Sequence, residues 1–207
     1  YYEKNKIFIL SQLTKLRQIC CHPALCYDDY QGSSAKLEAC MELVQRAVKG
    51  KHKVLLFSQF TSMLDLIRER LAEQNTKYYC LTGNTDKQER QRLVDEFQND
   101  DTPVFLISLK AGGTGLNLTA ADIVIHYDPW WNVAAQNQAT DRAHRIGQKN
   151  TVTVYRLIAK DSLEEGIIKL QESKKALSDD ILSMDFGAIA SMSKDCLLYT
   201  SDAADEE

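Results

Sequence analysis

Two arginines, Arg142 and Arg145, lie in the run Gln138-Ala-Thr-Asp-Arg-Ala-His-Arg-Ile-Gly-Gln148. Taken as one helix, this run places Gln138, Arg142 and Arg145 at i, i+4 and i+7 on a single face. Two guanidiniums held on one stripe clamp phosphoryl oxygens, because each presents planar, bidentate donors. The competing interpretation is a solvated helix face with Asp141 as local partner. It accounts for the charges but not for Gly147 or the flanking glutamines. A second run, Ser108-Leu-Lys-Ala-Gly-Gly-Thr-Gly-Leu-Asn-Leu118, carries Gly112, Gly113 and Gly115. These glycines permit a tight turn whose backbone N–H groups can approach a phosphate. The run is not a Walker loop, since no Gly-Lys-[Ser/Thr] follows, and Leu118 occupies the third glycine place of a dinucleotide fingerprint. Taken alone it is equally well a glycine-rich turn.

The elements that must carry these runs alternate between two periodicities. Five β-rich runs, Val54–Ser58, Tyr78–Thr82, Val104–Ser108, Ile123–Tyr127 and Val152–Ile158, are continuously apolar, as strands covered on both faces are. Between them Ser62–Gln74 repeats Met63, Leu64, Ile67 and Leu71 at helical spacing. Thr85–Asn99 buries Leu93, Val94 and Phe97 and opens on a Thr85/Gln88 capping box. Ser162–Leu177 opens on Ser162 and Glu165 and repeats Leu163, Ile167 and Leu170. Ahead of the sheet, Ser34–Lys49 aligns Leu37, Met41, Val44 and Val48. The first 19 residues predict a helix with Ile9, Leu13, Leu16 and Ile19 on one stripe, stopped by Pro23. The alternation predicts an α/β fold, a parallel sheet with helices on both faces.

Composition bounds the rest. The 207 residues are 44% hydrophobic and 26% charged, ordinary for a globular α/β domain. No apolar run approaches bilayer-spanning length, so no membrane partner is expected. The six cysteines (20, 21, 26, 40, 80 and 196) lack a framework spacing and are expected as reduced thiols. Cys20, Cys21, His22 and Cys26 match no tetrahedral zinc spacing, and no metal site is expected. The net charge of −4 is owed to residues 196–207, CLLYTSDAADEE, which carry four acids and no base; without them acids and bases balance at 25 each. This segment resembles the in-frame translation of a transposase-type sequencing adapter and is expected to be non-native.

Six runs occur in order: Leu16-Arg-Gln-Ile-Cys-Cys-His-Pro23, Val54-Leu-Leu-Phe-Ser-Gln-Phe60, Leu81-Thr-Gly83, the glycine loop, Asp128-Pro-Trp-Trp-Asn132 and Gln138–Gln148. Together, over residues 7–182, they resemble motifs IV, V, Va and VI of the Swi/Snf family of superfamily-two helicase-like ATPases. The resemblance implies a RecA-like lobe of P-loop-NTPase type that lacks the P-loop. It implies that Arg142 and Arg145 reach across an interlobe cleft to the ATP γ-phosphate, a role worth on the order of 10³-fold in rate. Gln138, Gly113 and Gly115 then lie near the nucleotide. Ser58, Gln59, Thr82, Gly83, Ser108 and Lys110 follow a DNA phosphate backbone, and Trp131 sits near the groove. Trp130 stands where relatives usually carry a polar residue.

The resemblance also implies ATP with Mg²⁺ as cofactor. The magnesium would be held by a first RecA-like lobe, because neither a Walker lysine nor an Asp-Glu-x-His run occurs in this sequence. Expected partners are double-stranded DNA, that first lobe of the same polypeptide, and a DNA-bound protein such as RNA polymerase. Residues 1–33 are then a junction helix and connector, 34–178 the lobe, 179–195 a loosely ordered end and 196–207 the tail. The compact form leans bacterial, placing the protein in the cytoplasm at the nucleoid; a eukaryotic host would place it in the nucleus. The chain alone is expected not to hydrolyse ATP. Two rivals are a lobe of a strand-separating helicase, against which the paired tryptophans speak, and a catalytically dead binding module, which needs neither arginine.

Overall fold

Strand residues of continuous apolar character fold here into a five-stranded, wholly parallel sheet in a computed structural model, in the order β2-β3-β1-β4-β5. The strands are β1 (Val54–Ser58), β2 (Tyr78–Leu81), β3 (Val104–Ser108), β4 (Ile123–His126) and β5 (Thr153–Arg156). The central strand β1 pairs Val54 with Val104 on one side and with Ile123 on the other. The structure describes residues 2–112, 116–145, 148 and 150–183, with side chains for all of these except 2–6, 112, 133, 135 and 174–183.

Alternating strand residues feed two separate cores, as the period of two requires. Val54, Leu56, Val104, Leu106 and Ile125 join α2 (Ala35–Lys49) and α3 (Thr61–Glu73) through Met41, Val44, Met63 and Ile67. Leu55, Phe57, Phe105, Ile107 and Val124 point the other way, to Leu93, Val94 and Phe97 of α4 (Lys87–Asn99). Ala139 of α6 (Val133–Thr140) and Ala143 complete that second core. The predicted faces of α2, α3 and α4 and the predicted sheet class are therefore the observed ones.

Four local expectations give way. Asp86, not Thr85, caps α4: its carboxylate accepts from the Gln88 and Glu89 N–H groups, while Thr85 Oγ1 accepts from Thr82 N (3.1 Å). The predicted fifth strand shortens to Thr153–Arg156 and is exposed throughout, because it borders the sheet and has a neighbour on one side only. On α1 (Tyr2–Cys21) the predicted apolar stripe is covered only in part, with Leu13 and Ile19 half-buried. Ile9 and Leu16 are exposed, and the buried residues are Arg17 and Cys21. Finally, α6 stops at Thr140, short of both arginines.

A short helix α5 (Leu109–Gly112) follows β3, and α7 (Leu163–Ser183) closes the described chain. The chain divides into two compact units, the first ending at Ile168 and the second beginning at Lys169. Within the first, a buried ion pair joins Lys36 of α2 to Glu164 at 2.6 Å, and Glu164 also accepts from Ala159 N. The expected tail, 196–207, and the end segment beyond Ser183 lie outside the described residues. No described helix is long and apolar enough to cross a membrane.

Candidate functional site

In a parallel sheet all carboxyl ends share one edge, and ligands gather there. The sequence-predicted DNA residues follow four adjacent strands along that edge. Thr82 and Gly83 follow β2, Ser108 and Lys110 end or follow β3, Ser58 and Gln59 end or follow β1, and Trp131 follows β4. Their exposures differ in kind. Gly83 and Lys110 are exposed, and Trp131 is 39% exposed. Ser58 and Ser108 are buried. Their hydroxyls serve the protein: Ser58 Oγ donates to Asp128 Oδ1 (2.6 Å), and Ser108 Oγ accepts from Ala111 N (3.4 Å).

Asp128 organises the middle of the edge. It is buried beyond the end of β4, and burial raises its carboxyl pKa while the Ser58 and Gln59 hydrogen bonds lower it. Its oxygens also accept from Gln59 N at 3.1 and 3.3 Å. Arg17 reaches in from α1 and places Nη2 2.6 Å from Gln59 Oε1, 2.9 Å from Pro129 O and 3.9 Å from Asp128 Oδ2. Its guanidinium carbon lies 5.5 Å from the Phe60 ring centre and 5.8 Å from that of Trp131. Arg17 and Asp128 stand within the quoted motifs, yet the sequence reading gave neither a role. For Asp128 the available signal was a carboxylate directly after the apolar run 123–127; for Arg17 the local apolar pattern offered none. Trp130 packs partly buried against the second core, whereas Trp131 is exposed.

The arginine run is rearranged relative to expectation. Beyond Thr140 the chain makes tight turns, with Arg142 N donating to Ala139 O and Ala143 N to Thr140 O. Two carbonyls that a continuing helix would use are taken by other partners. Leu118 N donates to Arg142 O (3.0 Å), and Gln148 Nε2 donates to Ala143 O (3.1 Å), as well as to Thr119 O and Ala121 O. Gln138 and Arg145 are exposed while Arg142 is buried, so the three do not share one helical stripe. The same bonds bring the exit of the glycine loop against the arginine turn. Gly113 and Gly115 themselves lie outside the described residues.

Arg142 is the unusual member. Its guanidinium is almost wholly buried, its Nε has no hydrogen-bond partner, and among the described residues it makes no ion pair. Burial pulls its pKa below the usual arginine value and neighbouring Arg145 adds to this, while Asp141 opposes it. Among the described residues no cluster of three or more His, Cys, Asp or Glu is placed to hold a metal.

Residues 35–147 match the helicase conserved C-terminal domain family. The C-terminal domain of a Sulfolobus solfataricus SWI2/SNF2 ATPase superposes with a TM-score of 0.70 at 37% identity, covering 94% of this chain and 81% of that one. The chain belongs to the helicase C-terminal domain family, in its Swi2/Snf2 branch. The ATPase core of the Sulfolobus solfataricus protein in complex with double-stranded DNA also superposes, with a TM-score of 0.72 at 39% identity over 94% of this chain and 42% of that one. A putative ATP-dependent helicase/translocase of Bacillus subtilis, YwqA, is 46% identical over 186 residues, 86% of this chain and 20% of its own length. This helicase C-terminal domain spans about a fifth of the length of the curated relatives that match most of it. Its fold is the RecA-like lobe that the resemblance implied, and its relatives carry names of ATP-dependent helicases and DNA-complexed ATPases.

Proposed function

We propose that this lobe is the second motor lobe of an ATP-dependent translocase on double-stranded DNA, and that Arg142 and Arg145 act on the nucleotide held mainly by a first lobe. The observation that carries this reading is buried Arg142, whose Nε has no hydrogen-bond partner, beside Arg145. A buried charge is costly unless it is directly paired; Asp141 offsets this one only in part, and a phosphate anion would supply a direct partner. The hydrogen bond from Leu118 N to Arg142 O supports the reading, because Leu118 directly follows the glycine run in sequence. Gln138, Gly113 and Gly115 complete the nucleotide side. ATP fits this donor set. Mg²⁺ calls for carboxylates, and the first lobe is the proposed source of them.

On the DNA side, Gln59, Thr82, Gly83, Lys110 and Trp131 form the proposed track, with Ser58 and Ser108 contributing main chain rather than their buried hydroxyls. Such contacts to phosphates carry no sequence information and can be remade at each step. The test uses the full-length protein. Arg142→Ala or Arg145→Ala should lower DNA-stimulated ATP turnover on the order of 10³-fold and leave ATP affinity nearly unchanged, because the fingers act on transition-state charge. A variant with normal turnover and lost ATP binding would show the role to be wrong. A strand-displacement assay on the same protein separates translocation from unwinding.

A further inference from the structure

Arg17 lies outside the matched family segment, on α1, yet its side chain ends among the DNA-side loops. The distances say what it is aimed at. Gln59 Oε1 is 2.6 Å from Nη2, whereas the Asp128 carboxylate, the obvious ion-pair partner, stands at 3.9 Å. An arginine has five donors and no acceptor, so only the oxygen end of a glutamine amide can face it; the reversed amide would oppose donor to donor. Gln59 is also held by its main chain, whose N–H bonds Asp128. With backbone and Oε1 both committed, the remaining capability of the side chain is its NH₂ group. That group is a pure donor pair suited to an anionic oxygen.

We infer that Arg17 is a positioning residue: by occupying Gln59 Oε1 it fixes the amide with its NH₂ presented to a phosphate of duplex DNA. This rests on the reading of Gln59 as a DNA-facing residue. Arg17 also supports Trp131, whose ring lies 5.8 Å from the guanidinium carbon, within reach of a cation–π contact. One side chain from outside the family segment thus sets two DNA-side groups, one from the loop after β1 and one from the loop after β4.

The experiment is a double-mutant cycle on this chain. It measures affinity for a fluorescently labelled duplex at low salt by anisotropy, with thermal melts as the folding control. Gln59→Ala and Arg17→Met should each weaken binding by about tenfold, the size of a lost hydrogen bond to a charged group. The double variant should be no weaker than Arg17→Met alone, because once Arg17 is gone the Gln59 donor is already lost. Both bonds of Arg17 come from one nitrogen, so Arg17→Lys should recover most of the affinity. If Arg17→Met does not fold, because Asp128 is left as an uncompensated charge, the whole cycle is repeated in an Asp128→Asn background. Multiplying effects of Arg17→Met and Gln59→Ala would overturn the positioning role alone. Unchanged affinity in Gln59→Ala would overturn the DNA-facing reading and the positioning role with it.

Discussion

His126 is a buried base at the end of β4, stacked on Phe57 with ring centroids 5.6 Å apart, and its Nε2 meets Thr140 Oγ1 at 2.9 Å. Burial, then the charge of Arg156, depresses its pKa from 6.5 to about 4. The sign follows from proton counting. Between these values the unfolded chain binds the proton and the folded chain does not, so stability is intact above pH 6.5 and falls as the pH drops toward 4. The full depression corresponds to about 3 kcal/mol. Urea unfolding of the wild type should therefore lose midpoint steadily from pH 7 to pH 5, and His126→Gln should flatten that slope. At this scale the sequence was legible for chemistry and illegible for burial. Arg142 could be named from its motif, whereas its burial depends on carbonyls taken by Leu118 and Gln148, partners that local periodicity does not reveal. The hydroxyls of Ser58 and Ser108 show the same limit: a hydroxyl at the end of a strand looks available until the partner supplied by another strand or turn is known.

Helices and strands were easier to read because their faces repeat. Leu93, Val94 and Phe97 announce the buried side of α4, and the structure buries all three. The cap of that helix was misread because Thr85 and Asp86 are both good N-cap residues and only the chain direction leaving β2 decides between them. Asp86→Ala should cost about 1 kcal/mol. Gln88→Ala should stay within about 0.5 kcal/mol, since the Asp86 cap accepts from the Gln88 main chain and needs nothing of its side chain. Thermal melts of the two variants decide it, and a large loss for Gln88→Ala would restore the capping box. The stripe on α1 was misread for a different reason. Periodicity reports that a face is apolar, not what covers it, and in this chain the buried positions are Arg17 and Cys21.

At the scale of the molecule, the proposed DNA track has little net charge behind it. Excluding residues 196–207, acids and bases balance, so attraction comes from local groups such as Lys110 and the arginine turn. Binding of the lobe alone should be weak, independent of sequence and steeply salt-dependent. Removing residues 196–207 should raise low-salt affinity through relief of like-charge repulsion and leave the melting temperature nearly unchanged. An unfolded deletion variant would show that the tail is packed structure. With half of the proposed ATP site supplied elsewhere, the purified chain should show no DNA-stimulated ATPase above background. Measurable turnover would place the whole catalytic apparatus within these 207 residues.

The order of the strands also dictates an order of events during synthesis. β1 and β2 are the first strands of this sheet to leave the ribosome, yet they are not neighbours, because β3 stands between them and pairs with both. A nascent chain that has reached α4 therefore owns two strands of this sheet and none of its ladders, and their apolar residues wait without partners. Val104–Ser108 is the keystone: its arrival creates two ladders at once. Nascent chains stalled before Val104 should accordingly be protease-sensitive, and those stalled beyond β4, once it has cleared the exit tunnel, should become resistant in a single step.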